Sequence, residues 1–265
     1  MTRMPILFIA CVLVGATALS HAMPSPGQDC AAANVLTPAE DAAGWQVLFD
    51  GQGISGWHGY NKQAIAAWTV EDCALTTTGT EGNYGSDKRA DLVTDGEFTN
   101  FELTLDWKAT KGGNSGVIYG IVEDPKYDAP WKTGPEYQLV DDVGFPHKLS
   151  ATQKAGANYG MHPPDDSQKT LKPVGEWNTT RIVVNGARVE HWLNGKKILE
   201  FERWTPEWNT LRDSGKWKEA PDYGKAKTGR IALQDHGSVF WFRNIKIRPI
   251  TRPPSPRSPE KAPTR

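Results

Sequence analysis

The chain has 265 residues, 38% of them hydrophobic and 10% aromatic, including eleven tryptophans. That is enough to build a core, and it excludes disorder for most of the length. Thirty basic against 31 acidic residues leave a net charge of -1, so no global field draws the chain to nucleic acid or to an anionic membrane. The 26 glycines and 19 prolines exceed what a helix bundle tolerates, because each costs helix stability and marks a turn. An all-β chain is expected.

Residues 1–22 read as a secretory signal peptide. Arg3 supplies a basic start, Ile6 to Leu19 an apolar stretch, and Ser20-His21-Ala22 a small-residue cleavage pattern. The apolar run is short for a bilayer span and is broken by Gly15 and Thr17. Neither Cys11 nor Cys30 has lipobox surroundings. The expectation is an exported protein, periplasmic or secreted, with no membrane attachment after cleavage. Residues 23–43 form a short N-terminal segment. Cleavage leaves Cys30 and Cys73 in a compartment where disulfides persist, so a bridge between them is expected, with two unpaired thiols as the alternative.

One domain is expected over residues 44–250. Phe101 to Lys108 alternates strictly, placing Phe101, Leu103, Leu105 and Trp107 on one face and Glu102, Thr104, Asp106 and Lys108 on the other. Thr180–Val184, Val189–Leu193 and Ile198–Phe201 read as three strands joined at Asn185-Gly186 and Asn194-Gly195, since Asn-Gly accepts the positive φ of tight hairpin turns. A helix over 205–213 is predicted from Thr205 as N-cap, Pro206 at the first position, and Trp208 and Leu211 on one face. Arg230–Gln234 and Val239–Ile247 form a last strand pair around the polar turn Asp235-His236-Gly237-Ser238. Short strands and frequent glycine turns predict a two-sheet jelly roll. Residues 251–265, rich in proline and basic side chains, are expected to be a disordered tail.

Signatures of serine hydrolases, zinc proteases and nucleotide-binding proteins are missing. Polar clusters stand in or beside strands instead: Gly112-Gly113-Asn114-Ser115-Gly116, Gly134-Pro135-Glu136-Tyr137-Gln138 and Gln234-Asp235-His236-Gly237. Alternation puts Glu136 and Gln138 on one sheet face, either to hold a polyol or to lie on a solvated outer surface. His236 is either an acid–base group or a turn histidine. His191, flanked by Val189 and Leu193, reads as structural. Most tryptophans fill a sandwich core, while Trp131, Trp204, Trp208 and Trp217 fall in loop-like segments where an indole face can stack on a sugar. Carbohydrate is the ligand class these features favour.

These segments resemble the 3-keto-disaccharide hydrolase family. The resemblance runs from about Gly44 to Ile250, through Gly44-Trp45-Gln46-Val47-Leu48-Phe49-Asp50-Gly51, Trp68-Thr69-Val70-Glu71-Asp72, Gly113-Asn114-Ser115-Gly116, Gly134-Pro135-Glu136-Tyr137-Gln138, His191-Trp192-Leu193-Asn194-Gly195 and Ile231-Ala232-Leu233-Gln234-Asp235-His236-Gly237. It implies a concanavalin A-like β-sandwich and cleavage of glycosides already oxidised to a ketone at sugar carbon 3, by a hydrolase or by a lyase and hydratase. Two departures stand out. Cys73 follows Glu71-Asp72 where the family has glycine, and Gly120 follows Tyr119 where many members have arginine.

The alternating polar positions and the resemblance together nominate Glu136 and His236 as catalytic. Asn114, Ser115, Gln138, Gln234, Tyr119, Asp141 and Lys108 are the expected substrate contacts. No cofactor is required by the sequence; a divalent metal, if used, would draw on Glu136, Asp141, His147 and His236, whose spacing matches no metal motif. The expected partner is an oxidised 3-keto disaccharide or glycoside. A non-catalytic lectin-like module is the competing reading, because the sandwich serves both roles.

Overall fold

The structure, a computed structural model, describes residues 33–79 and 90–251. The expected signal peptide, Cys30 and all of the tail but Thr251 lie outside the described residues. Among the described residues thirteen strands, β1 to β13, form two antiparallel sheets. The first runs β11 (Lys196–Glu202), β10 (Arg188–Leu193), β9 (Asn178–Asn185), β6 (Phe101–Ala109), β13 (Phe240–Pro249), β4 (Ala74–Thr77), β3 (Trp68–Glu71), with β1 (Gln46–Val47) also on β13. The second runs β2 (Trp57–Gly59), β5 (Leu92–Thr94), β12 (Arg230–Leu233), β7 (Asn114–Ile121), β8 (Glu136–Val140). This is the expected all-β sandwich of two sheets, with a helical insertion after β11.

Alternation builds the core. Phe101, Leu103, Leu105 and Trp107 are all buried and pack in one cluster with Val117, Tyr119, Tyr137, Leu139, Ile231 and Leu233 of the opposing sheet. Each such side chain contributes roughly 1.5–3 kcal/mol through apolar burial. Polar contacts cross this core at β10: His191 meets the Tyr119 hydroxyl at 3.0 Å and the Gly156 carbonyl at 2.9 Å, and the Tyr137 hydroxyl donates to the Trp192 carbonyl at 3.1 Å. Burial pulls the His191 pKa down to about 3, so the ring is a neutral structural bridge.

The hairpins differ in detail from the sequence expectation. Asn194 and Gly195 do form the second turn, with φ 47° and 82°. The first turn is Gly186-Ala187, because Asn185 pairs with Arg188 and stays in the ladder. At the β3–β4 turn, Asp72 and Cys73 both take positive φ, 46° and 59°, a conformation glycine reaches without steric cost. Cys73 is disulfide-bonded, and its carbonyl accepts from Asn34 Nδ2 at 2.8 Å. The expected last pair is not a hairpin. β12 belongs to the five-stranded sheet and β13 to the eight-stranded one, so the turn containing His236 carries the chain from one layer to the other.

The helix, α1, spans Pro206–Ser214, and the Thr205 side chain accepts from the Trp208 backbone N–H. Trp208 is buried but Leu211 is 40% exposed, contrary to the expected shared face. What anchors the insertion is a stack of rings. His162 and Phe201 lie 4.8 Å apart, Phe201 and Trp208 5.6 Å, Trp208 and Tyr223 5.9 Å, and Tyr223 and Trp217 4.3 Å, all within 13° of parallel. A single buried indole in this stack replaces the apolar stripe a helix of this length ordinarily needs.

A second clamp closes the far end of the five-stranded sheet. His58 on β2 contacts Asp95 at 2.6 Å through Nδ1 and Glu123 at 2.8 Å through Nε2. Burial would lower its pKa, but hydrogen bonds to both carboxylates outweigh this and raise it. The clamp therefore contributes fully below about pH 6.5, the unfolded value, and is lost as pH rises through the folded one. His58→Gln is expected to lower the Tm most near about pH 6, with the gap from wild type narrowing toward about pH 9; a pH-independent gap would show that the charge is not what matters.

Candidate active site

The polar clusters converge on the outer face of the five-stranded sheet. A cavity of about 250 Å³ is lined by Asn114, Trp131, Glu136, Gln138, Tyr159, Lys216, Trp217, Gln234 and His236. Neighbouring strands supply the floor. In β7, Asn114 and Gly116 face outward while Ser115, Val117 and Tyr119 face the core; in β8, Glu136 and Gln138 face outward and Tyr137 and Leu139 inward. Gln234 follows β12 and bonds the Gly116 carbonyl through its backbone N–H at 2.9 Å. The crossing turn brings His236 to the rim.

Glu136 is the one carboxylate among the described residues that line this cavity. It is 3% exposed, although it sits on an outer face, because the insertion and the loops around Trp131 and Tyr159 cover the sheet there. Burial pushes its pKa up to about 8; the Lys216 charge acts against this and the Asp91 charge adds to it. Gln138 holds the carboxyl in place. With the amide nitrogen turned toward its acceptors, Gln138 Nε2 donates to the Ser115 carbonyl at 3.1 Å and to Glu136 Oε1 at 3.0 Å. Gly116 makes the space, since a Cβ there would lie 2.8 Å from Glu136 Cγ and would also strike its carboxylate oxygen. Gln234 Oε1 is buried in the cavity wall without a hydrogen-bond partner among the described residues, an acceptor available to a ligand hydroxyl.

The mouth is aromatic. Trp131, 36% exposed, tilts against Trp217 with ring centroids 6.1 Å apart. Lys216 Nζ lies 3.8 Å from the centre of the Tyr159 ring. A half-exposed indole beside hydrogen-bonding amides suits a sugar ring, which offers an apolar face and a polar edge.

The cavity thus unites Glu136, His236, Asn114, Gln138 and Gln234 from the expected set, and Trp131 and Trp217 from the loop tryptophans. Ser115 faces inward, and its hydroxyl donates to the Gln234 carbonyl at 2.7 Å, so it positions the floor. Tyr119 is wholly buried against His191. Asp141 accepts from the Gly112, Val143 and Gly144 N–H groups and borders a separate, largely apolar cavity of about 520 Å³. Burial opposes these backbone bonds, which nonetheless lower its pKa. Lys108 is on the other sheet, with Nζ 5.0 Å and 4.5 Å from the Trp177 and Trp241 ring centres. His147 is exposed, edge-on to Phe145. The four metal candidates are therefore not brought together, and among the described residues no group of three or more His, Cys, Asp or Glu is arranged to hold a metal ion. Trp204 and Trp208 also lie elsewhere, the first bonded to the Gly224 carbonyl and the second inside the ring stack. Tyr159 and Lys216 carry no signal in the sequence, since each sits in an irregular segment with no periodicity to orient it.

Known proteins share this architecture. Residues 44–248 match the model of the 3-keto-alpha-glucoside-1,2-lyase-like domain. A 3-keto-disaccharide hydrolase from Bacteroides thetaiotaomicron is 34% identical over 213 residues, covering 72% of this chain and 73% of that protein. A crystal structure of a Parabacteroides distasonis protein provisionally named a glycosyl hydrolase superposes with a TM-score of 0.76 at 41% identity, covering 83% of this chain and 100% of that one. A second such structure from the same organism gives 0.61 at 32% identity, covering 78% and 99%. The sandwich, the outer-face cavity and these matches over most of its length make the chain a member of the 3-keto-alpha-glucoside-1,2-lyase-like family.

Proposed function

We propose that this protein cleaves glycosides carrying a ketone at sugar carbon 3. The observation that carries the reading is Glu136, a desolvated carboxyl with a pKa of about 8, alone among carboxylates of the described residues in a polar cavity. Ordinary glycosidases need two flanking carboxyl groups. A 3-keto glycoside needs one base instead, because the ketone acidifies the proton on carbon 2. Ionised Glu136 takes that proton, and the C–H pair forms a C2–C3 double bond as the carbonyl electrons move to oxygen. The enolate then reforms the ketone, its C2–C3 double-bond electrons form a C1–C2 double bond, and the carbon 1 substituent is expelled, its oxygen taking a proton from His236. Water added across C1–C2 yields the free 3-keto sugar.

Desolvation answers the weakness of an ordinary glutamate as a base for such a proton, since a pKa of about 8 matches base strength to neutral working pH. Asn114, Gln138 and Gln234 would hold sugar hydroxyls, and Trp131, the exposed indole at the mouth, would stack the departing group. We further propose export from the cytoplasm, on the strength of the N-terminal 22 residues and the disulfide at Cys73. The direct test incubates purified protein with a 3-keto disaccharide and with its unoxidised parent. Release of free sugar from the first alone is expected; binding of both without turnover would favour the lectin-like reading.

Two variants test the site. With Glu136 as base, kcat/KM is expected to climb about tenfold per pH unit along its acid limb, below about pH 8. Glu136→Gln should cut turnover by about a hundredfold or more while raising stability. A carboxyl whose folded pKa is raised keeps its proton in the fold after the unfolded chain has lost its own, so it subtracts stability increasingly from about pH 4.3 to about pH 8. The variant's Tm should match wild type near about pH 4 and exceed it by a few degrees near about pH 8; equal values throughout would mean that Glu136 is not desolvated. Gly116→Ala should displace the same carboxyl and lower kcat at least about tenfold, and an unchanged kcat would remove Glu136 from that position in the chemistry.

A further inference from the structure

Lys216 begins the short 3-10 turn Lys216–Glu219 that follows α1. It lines the cavity together with Glu136 and His236, and among the described residues no carboxylate lies within ion-pair distance of it, whereas Lys132, Lys154, Lys169, Lys197, Lys225 and Lys246 each have one. The residue is exposed, yet two rings seat its ammonium. The ammonium rests on the Tyr159 ring at 3.8 Å and near the Trp217 ring at 5.0 Å. Both perches are tied to the base: the Tyr159 N–H donates to the Glu136 carbonyl at 3.0 Å, and Trp217 Nε1 donates to the Tyr159 carbonyl at 3.1 Å. Gly160 leaves room for the stem, since a Cβ there would sit 3.1 Å from Lys216 Cδ.

We propose that Lys216 is a further catalytic residue, the electrophile whose ammonium donates a hydrogen bond to the carbon 3 oxygen as negative charge develops on it. This rests on the proposed 3-keto-glycoside reading and adds the partner that reading needs. When the bond from carbon 2 to hydrogen breaks, the proton goes to Glu136 and the carbonyl electrons go to oxygen. Lys216 stabilises that oxygen without giving up its proton, and is unchanged once the ketone reforms and the bond at carbon 1 breaks. His236 is thereby left to serve the departing oxygen. Lys216 is itself exposed at the cavity mouth, but the carboxyl it serves is buried beneath it, and a cation held where negative charge develops stabilises that charge without reorganising. The same charge lowers the Glu136 pKa against the effect of burial, so more of the carboxyl is ionised at a given pH.

The test uses the full-length protein and a step that precedes bond cleavage, the exchange of the carbon 2 proton of a free 3-keto sugar in D2O, followed by NMR alongside turnover of a 3-keto disaccharide. Lys216→Met is expected to slow both by about a hundredfold or more, with KM changed only a few-fold. It should also shift the acid limb of the kcat/KM profile to higher pH, because Glu136 loses its neighbouring cation. Lys216→Arg should restore part of the rate. Lys132→Met, a charge removed beside Trp131 but outside the cavity, should stay within about twofold of wild type. Normal exchange in Lys216→Met beside active wild type would overturn the role of Lys216 alone, as would a rise in KM with kcat intact or a shifted pH limb with full rate at high pH. Failure of wild type itself to exchange or turn over would overturn both this proposal and the reading beneath it.

Discussion

The burial of β8 on both faces is the constraint from which the site follows. A strand alternates its side chains, so a strand covered on one side only has a wet face for its polar residues. β8 has none. Tyr137 and Leu139 enter the sandwich core while Glu136 and Gln138 are enclosed beneath the insertion, and all five residues are buried. A glutamate so placed costs stability unless it keeps its proton, and the covering segment must be held down by something other than that strand. The stack from His162 to Trp217 supplies the hold. Gly116 supplies the volume, and Gln138 the hydrogen bond that fixes the carboxyl. An acid that opposes folding, kept in place by rings and amides around it, is the arrangement expected where activity and stability draw on the same group in opposite directions.

Much of this is legible in the sequence through a period of two. Alternation sets Phe101, Leu103, Leu105 and Trp107 into the core and puts Glu136 and Gln138 on a common face, and the Asn-Gly pairs mark the hairpin turns of β9 to β11 to within a residue. The same rule, carried along β7, separates Tyr119 from Asn114 by parity, and carried along β6 it puts Lys108 opposite Trp107. Tyr119 and Lys108 have suitable chemistry for a sugar site but not the position, and position decides. Ser115 differs, being on the inward side yet touching the floor from beneath.

Other features have no local signal. Tyr159 and Lys216 lie in irregular chain, where no periodicity says which way a side chain points. Leu211 falls on a helical stripe with Trp208, but the helix is held by ring stacking through Trp208, so the stripe is not used. The separation of β12 and β13 depends on which strands each finds as neighbours, a long-range choice between residues far apart in sequence. Glu136 is visible in the sequence as a residue but not as a carboxyl of raised pKa, because its burial comes from covering segments contributed from elsewhere in the chain.

The link between β12 and β13 spans the two layers. Leu233 ends in one sheet and Phe240 begins in the other, and between them Ser238 accepts from the Asn114 backbone while its carbonyl takes the Thr77 hydroxyl. His236 therefore has its position set by the gap between the layers, a distance of about 10 Å in packed sheets. The core acts as a spacer for the rim of the cavity. A substitution deep in the sandwich that thickened or thinned it by a fraction of an ångström would leave the strands paired and the molecule folded, yet would move the histidine relative to a carboxyl anchored wholly within one layer. In this architecture the alignment of the cavity's polar groups is a measure of interior packing, and drift in the one would report on the other before unfolding did.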